Sequence, residues 1–127
     1  MYKKVEFQKR KVQRAIIQSG KTITLFRHKK NEFGEPLKEA EQITTINGIY
    51  HVGVAYQSVT NSDSGSITNI KTTVPMILCL IDDNSNLIQK DDFFKIGNDI
   101  LRVNGKIDVE NEGYAFDISC EVVEVET

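Results

Sequence analysis

A strict alternation of apolar and polar side chains near the C-terminal end is the feature that most constrains this fold. The apolar positions are Tyr114, Phe116, Ile118, Cys120 and Val122. The residues that separate them from Phe116 onward are Asp117, Ser119 and Glu121. Successive side chains of a β-strand point to opposite faces of a sheet, so this spacing predicts a strand with one buried face. The rest of the chain must supply the core that this face closes.

Upstream of this strand, short β-rich runs alternate with turn residues. We expect strands near residues 22–28, 42–56, 74–81, 93–96 and 100–103. Turns are expected at Asn31 to Pro36, at Asp82 to Asn86, and at the Gly97-Asn98 pair. The sequence therefore predicts a mainly β fold, a small β-barrel or sandwich of about five to seven strands with an N-terminal helix and a long polar loop.

The first twenty residues carry the only convincing helix pattern. A rough apolar stripe is formed by Val5, Phe7, Val12, Ala15, Ile16 and Ile17. The polar side carries Lys9, Arg10, Lys11 and Arg14. We expect a helix at about residues 5–18, and we expect Gly20 to take the left-handed conformation just past its end.

Length and composition indicate one globular domain. The chain has 127 residues, of which 39% are hydrophobic and 27% charged, so it can bury a core without a disulfide or a structural metal. We expect a single domain over 1–127, with a basic helical segment at 1–20 and a barrel-like body at 21–127.

The cysteines and the apolar segments predict the cellular compartment of the protein. Cys79 and Cys120 lie inside apolar runs, which favours buried free thiols in a reducing compartment. No run approaches the roughly 20 apolar residues of a membrane span, and the N-terminus lacks the apolar segment of a signal peptide. We expect a cytosolic protein with no membrane partner.

The net charge of −2 hides a strong asymmetry along the chain. Residues 1–30 carry ten Lys or Arg and one acid, whereas residues 105–127 carry one Lys and seven acids. The basic start of one subunit could face the acidic end of a neighbour, or a monomer could fold its own ends together. Solvated charges without a specific partner remain an equal alternative.

One polar segment does not fit a compact β-domain. Residues 57–73 read QSVTNSDSGSITNIKTT, with only Val59, Ile67 and Ile70 apolar. We expect a long mobile loop, since loops of this length are uncommon unless they are functional or disordered. A tolerated surface insertion is the alternative, because such loops cost little stability.

Two ligand-binding motifs are incomplete. Residues 15–22, AIIQSGKT, lack the first Gly of a phosphate-binding loop, and they follow a helix instead of a strand. Asp82, Asn84 and Asn86 match the first calcium-loop ligands, but Leu87 and Phe93 stand where that loop needs Gly and Glu. An Asx-rich turn explains the second motif, and we expect neither a cofactor nor a metal.

No catalytic constellation is evident. His28 and His51 are not spaced from a second metal ligand, and both cysteines belong to buried runs. The adjacent Asp91 and Asp92 precede a strand, where carboxylates are ordinarily solvated. We therefore expect no enzyme and no catalytic residues.

A nucleic-acid-binding module is the alternative function. The basic N-terminal segment favours it, and Phe26, Phe33, Tyr50 and Tyr56 could stack bases on a small barrel. The slightly acidic chain, with a pI near 5.7, disfavours it.

The order of four segments resembles the head-closure proteins, or head-tail connectors, of tailed bacteriophages. These segments are GIYHVGV (48–54), PMILCLIDD (75–83), LIQKDDFFKIGNDILRVNGKIDV (87–109) and YAFDISCEVVE (114–124). The resemblance covers roughly residues 20–125, and its most specific parts are the runs at 92–103 and 116–119. Lys90 and Cys120 depart from the family pattern, which has Gly and Leu there. Other neck and tail-completion proteins share similar runs.

The resemblance implies a structural protein of the virion neck, made in the cytoplasm of a bacterial host. Its subunits would form a homo-oligomeric ring, a dodecamer, between the portal or adaptor ring above and a tail terminator or tail-completion protein below. Double-stranded DNA would pass through the lumen without specific binding.

The resemblance also implies a stopper loop that gates DNA exit, and residues 57–73 are the matching segment. The expected lumen residues are Gln57, Ser58, Thr60, Asn61, Ser62, Asp63, Ser64, Gly65, Ser66, Thr68, Asn69 and Lys71. The charge asymmetry predicts a basic docking surface on the helix, formed by Lys9, Arg10, Lys11 and Arg14. Its expected partner is an acidic surface of the ring above or of the neighbouring subunit.

Overall fold

A computed structural model describes residues 2–60, 65 and 67–125 of the chain. The helices and strands, in chain order, are α1 (Tyr2–Ser19), β1 (Lys21–Lys30), β2 (Pro36–Thr60), β3 (Ile67–Leu80), α2 (Asp83–Asn86), β4 (Phe93–Ile96), β5 (Asp99–Asp108) and β6 (Ala115–Val125). A short 3₁₀ turn at Val109–Asn111 follows β5. The expected mainly β fold with an N-terminal helix is confirmed.

The six strands form one antiparallel sheet that closes on itself as a barrel. Their order is β1-β2-β3-β6-β5-β4, and β4 returns to β1. At this seam the register contains a single pair, Phe26 opposite Phe93, whereas β1 and β2 pair from Lys21 to Lys30. The barrel is therefore closed most weakly between β1 and β4.

The barrel interior holds the hydrophobic core. Its buried residues are Ile23, Leu25, Ile46, Ile77, Cys79, Ile88, Phe94, Leu101, Val103, Ile118 and Cys120. The alternation from Phe116 to Cys120 is confirmed, because Ile118 and Cys120 are buried and Phe116 packs against the core. Val122 is 46% exposed, since it lies at the barrel rim beside a register shift between β5 and β6.

Both cysteines are free thiols of this core, as their apolar surroundings predict. Burial raises the pKa of the Cys79 thiol to about 12, and it does the same for the Cys120 thiol. Uncharged thiols behave as small apolar side chains, so both cysteines can pack in the barrel interior without a polar partner.

The expectation of a loop over residues 57–73 is wrong in its bounds. Residues 57–60 belong to β2 and residues 67–73 to β3, and the register runs from Gln57 opposite Ile70 to Thr60 opposite Ile67. Strand pairing uses backbone groups, so a polar sequence rich in Thr, Val and Ile can continue a strand without an apolar face. What was expected to be a loop is mostly the far part of a long β-hairpin.

The expected turn at Asp82 to Asn86 is present as one helical turn, whereas the expectation for Gly20 is wrong. Gly20 does not have positive φ; it ends α1 by a close approach, because its amide donates to the Ile16 carbonyl at 2.8 Å and an added Cβ would lie 2.4 Å from that oxygen. Residues 83–86 form a helical turn with a capping box, since the Asp82 carboxylate accepts from the Ser85 amide and the Ser85 hydroxyl accepts from the Asp82 amide.

Asp92 is fully buried beside the barrel seam, contrary to the expectation that both Asp91 and Asp92 are solvated. Arg27 of β1 donates from Nε to Asp92 Oδ1 at 2.7 Å and from its terminal nitrogen to Oδ2 at 3.0 Å. The Gln89 amide also donates to Asp92 Oδ2, at 2.8 Å. The hydrogen bonds between Arg27 and Asp92 raise the pKa of Arg27 above its ordinary value. A two-pronged ion pair therefore ties β1 to the chain just before β4.

We expect Asp92→Asn to lower the free energy of unfolding by about 2–3 kcal/mol, because it removes a charge-assisted pair and leaves Arg27 without its counter-ion. Asp91→Asn is the matched control. The Asp91 side chain is 71% exposed and Asn tolerates its positive φ, so the change should stay within about 0.5 kcal/mol. Urea unfolding measures both, and equal effects would contradict the role of the ion pair.

We expect the free energy of unfolding to fall as the pH rises from about 9 toward about 12, the two limits set by the unfolded and folded thiol pKa values. Between pH 9 and pH 12 the unfolded chain loses thiol protons that the folded state keeps, so the free energy of unfolding falls. Below pH 9 the thiols are protonated in both states, and the free energy of unfolding keeps its full value. Unfolding measured against pH checks this, with a Cys79→Ala, Cys120→Ala double variant as the control. A double variant with an unchanged pH slope would contradict it.

Candidate functional site

The most unusual part of the molecule is a two-stranded arm that projects from the barrel. β2 pairs with β1 only as far as Gly48, and β3 pairs with β6 only from Met76 onward. Beyond these points, among the described residues, β2 residues 49–60 pair only with β3 and β3 residues 67–75 pair only with β2. We call these two segments the hairpin arm. A strand of this length rises about 40 Å.

The inner face of the barrel continues onto the base of the arm. Tyr50, Val52 and Val54 follow Ile46 on alternate positions of β2, but no strand covers them, and Val52 is 56% exposed. Tyr50 and Val52, together with Pro75 and Val122, border an open cleft of about 500 Å³ at the barrel rim. The arm therefore presents uncovered apolar surface that is continuous with the core.

The outer face at the base of the arm is held by polar and close contacts. His51 Nε2 lies 2.8 Å from Asp117 Oδ1, which links β2 to β6 across β3. Gly53 lies under Met76, since an added Cβ would come within 2.6 Å of the Met76 sulfur. These contacts tie the base of the arm to the barrel.

The structure places the expected lumen residues along the far part of this arm. Of these residues, β2 carries Gln57, Ser58 and Thr60, β3 carries Thr68, Asn69 and Lys71, and Gly65 has a positive φ between the two strands. Asn61, Ser62, Asp63, Ser64 and Ser66 lie outside the described residues. Six of the twelve expected lumen residues therefore belong to the paired strands of the arm rather than to a free loop.

The helix α1 lies on β2 and β3 and carries two different faces. Its half-buried positions are Val5, Gln8, Lys9, Val12, Ala15 and Ile16, which recur with helical spacing. The exposed positions include Phe7, Arg10, Lys11, Arg14 and Ile17, which we call the outer helix face. Of the four expected docking residues, Lys9 therefore lies on the barrel side, and the other three lie on the outer face.

Two apolar side chains stand among the cations of the outer helix face. Ile17 is 83% exposed and Phe7 is 58% exposed, although the sequence pattern put both on the apolar stripe. The Lys11 ammonium lies 4.9 Å from the centre of the Phe7 ring. An exposed surface that mixes basic and large apolar residues is typical of a contact region.

A cleft of about 610 Å³ at the barrel seam is the feature that the sequence did not predict. Its lining includes the basic residues Arg27, His28, Lys30, Lys90 and Arg102. The ring of His28 stacks on Phe93 at 4.5 Å, and Phe26 stacks on the same residue at 5.8 Å. No sequence signal could have found this cleft, because it joins lining residues of 27–36 to lining residues of 89–123, which are more than 50 residues away along the chain.

The aromatic residues proposed for base stacking are not brought together. Phe26 belongs to the stack at the seam, Phe33 is exposed in the turn between β1 and β2, and Tyr50 lies at the base of the arm. The Tyr56 side chain lies outside the described part of the structure. The described aromatics therefore form no continuous stacking surface.

Within the described ranges, no group of three His, Cys, Asp or Glu residues is placed to hold a metal ion. No helix in the same ranges is both long and apolar enough to span a membrane.

The sequence matches no protein-family model, and no curated protein matches it.

We expect the barrel to fold without the hairpin arm. Replacing residues 54–73 by Asn-Gly joins Gly53 to Val74, which are opposite each other, through a two-residue turn. Unfolding in urea should give a free energy within about 1 kcal/mol of the full chain, because an isolated two-stranded hairpin is marginally stable.

A deeper truncation is the control for this variant. Replacing residues 50–77 removes the buried Ile77 and two β3–β6 pairs, so it should abolish cooperative unfolding. If the shorter truncation unfolds the protein as well, the arm is part of the barrel's stability.

Proposed function

We propose that this protein is a structural component of a bacteriophage neck, forming a ring that joins the DNA-filled head to the tail and gates DNA exit. The observation that carries the proposal is the pairing of a closed barrel with a long hairpin arm at the segment that matches the family's stopper. The sequence resemblance supplies the dodecameric ring, the portal or adaptor ring above it and the tail-completion protein below it.

The energetics of the barrel and the arm support a gate. The barrel has a closed sheet and a packed core, whereas the arm has two unpaired edges and an uncovered apolar base. A segment with few tertiary contacts can change its position at a small cost in free energy, and the barrel need not unfold when it does. The ring would then stay intact while the arms move aside for DNA.

The charge of the arm also supports a gate. Between residues 57 and 73, Lys71 is the only cation and Asp63 the only acid. A cationic lining would bind phosphates and slow the passage of DNA, since each phosphate contact adds salt-dependent affinity. An electrically balanced arm can close a channel without holding the DNA that slides past it.

A nucleic-acid-binding module is the second candidate, and the basic cleft at the seam favours it. Lys30 and Lys90 line this cleft, and neither forms an ion pair among the residues that the structure describes. In this function the isolated subunit binds DNA with an affinity that falls steeply with salt. The neck protein binds it weakly at every salt concentration.

Electron microscopy of tailed particles from a producing host tests the neck assignment. We expect ring density for this chain at the head-tail junction, with the hairpin arms pointing into the channel. Absence of the chain from the junction, together with salt-sensitive DNA binding by the free subunit, would replace the neck function by the nucleic-acid module.

We expect particles with the 54–73 truncation to lose packaged DNA before tails attach, because the gate is missing while the ring still forms. Phe33→Ser is the control, since it changes an exposed residue in the turn at the opposite end of β2. DNA retention is measured as the fraction of filled heads and as nuclease-resistant DNA. Normal retention by the truncated variant would refute the gating role.

A further inference from the structure

The cations of the outer helix face have no carboxylate counter-ion in the described part of the subunit. Arg10, Lys11 and Arg14 are exposed, and no ion pair joins any of them to a carboxylate among the described residues. Arg10 and Arg14 border a cleft of about 480 Å³ that also contains Asp82, but no contact within ion-pair distance forms there. Three cations and two exposed apolar side chains therefore face outward.

An acidic surface of similar make-up lies at the β5–β6 connection. Asp108, Glu110 and Glu112 stand within five residues of one another, and we call them the acidic corner. Glu110 is exposed, and Ile107 beside the corner is 57% exposed. Three acids and an exposed apolar side chain thus occupy one short connection.

No ion pair joins Asp108, Glu110 or Glu112 to a cation among the described residues, although the Gly113 amide donates to Asp108 Oδ1 at 2.9 Å. The nearby Lys106 ammonium points to the carbonyl oxygens of Ser85 and Asn86. One carboxylate oxygen of Glu112 is shielded from solvent and has no hydrogen-bond partner among the described residues. Burial, followed by the charges of Glu110, Glu112 and Asp108, raises the pKa of Tyr114. A negative potential therefore remains at this corner.

We propose that the outer helix face binds the acidic corner of a second copy of this chain. The two surfaces are complementary in charge, because three cations would face three carboxylates. They also match in apolar area, because Phe7 and Ile17 would face Ile107. Because two different surfaces meet, every subunit carries both halves of the contact, and the contact can repeat from subunit to subunit. This inference rests on the proposed ring, and it names the contact that joins neighbouring subunits.

The contact is weak for one pair of subunits and strong for a closed ring. Exposed ion pairs are screened by salt, and the apolar area at each surface is small. Closure of a ring makes each further contact intramolecular, which multiplies weak contacts into a stable assembly. A pairwise contact that salt weakens is therefore the expected behaviour of the free subunit.

A charge exchange between two variants tests the contact. One variant carries Arg10→Glu and Arg14→Glu, so that both of its surfaces are acidic. The other carries Glu110→Arg and Glu112→Arg, so that both of its surfaces are basic. Each should remain monomeric alone, whereas an equal mixture should associate, because the helix of each variant then faces a corner of opposite charge.

Sedimentation velocity at low salt measures the association, with circular dichroism and urea unfolding confirming that each variant is folded. Lys29→Glu, Lys38→Glu is the matched control, because it changes the net charge by the same amount at exposed sites near the turn between β1 and β2. We expect the control to associate like the unchanged protein. If the basic double variant does not fold, Glu110→Arg alone replaces it.

Carbodiimide cross-linking locates the contact, since it joins an amine directly to a carboxylate. In a mixture of ¹⁵N-labelled and unlabelled chains, we expect cross-links of mixed isotope between Lys11 and residues 108–112, reduced at least tenfold in 0.5 M salt or by the helix variant. No mixed-isotope cross-link to the corner, or no gain in association when the two variants are mixed, would overturn the proposal.

Electron microscopy of particles that carry the helix variant distinguishes the helix-to-corner contact from the proposed neck function. If a ring at the head-tail junction still assembles from the helix variant alone, the helix-to-corner contact is refuted and the neck function stands. If the cross-links form as expected but the chain is missing from the junction, the contact stands and the neck function is refuted.

Discussion

Closure of the barrel depends on a buried charge. The β1–β4 seam has one pair in its register, so the strand ladder alone gives it few hydrogen bonds. Asp92 and Arg27 supply two charge-assisted hydrogen bonds next to this pair, and the Asp92 backbone bonds to Val103 of β5 through its carbonyl at 2.8 Å. Without this tie, β1 and β4 would present open edges, and the inner face of every strand would lose its enclosure. The core therefore rests on one polar contact that hydrophobic patterning does not reveal.

Unequal strand lengths explain why the hairpin arm projects from the barrel. β4 has 4 residues and β1 has 10, whereas β2 has 25, so β2 and β3 must leave the barrel where their neighbours end. The pleat that places Ile46 inside the barrel also directs Val52 to the same side, where no strand covers it. One continuous strand thus passes from the most constrained part of the molecule to the least constrained part. This separation lets the arm change its position while the core stays packed, as the proposed gate requires.

Elements set by local pattern could be predicted from the sequence, whereas elements set by distant partners could not. The Gly97-Asn98 turn and the strands on either side are present as expected, because turn chemistry and apolar runs act over a few residues. Polar composition misassigned residues 57–73, since β-pairing is a backbone property. Arg27 and Asp92 are 65 residues apart, so the sequence around either residue does not predict their ion pair. The helical pattern of α1 does not show which of its faces packs on the barrel, and Ile17 could belong to either face. The packing of α1 leaves Ile17 exposed.

The charge asymmetry along the sequence has a spatial counterpart that a folded subunit does not cancel. α1 turns Lys9 toward the barrel but leaves Arg10, Lys11 and Arg14 in solvent, while the β5–β6 connection exposes Glu110 and leaves Asp108 and Glu112 half-buried. If these charges served solubility alone, neither patch would need large exposed apolar residues, yet Phe7, Ile17 and Ile107 stand among or beside them. Charge gives direction to the approach of two surfaces, and apolar area holds them once water is displaced. In the proposed ring, that combination joins subunits through the barrel and helix and leaves the hairpin arm free to act on the channel.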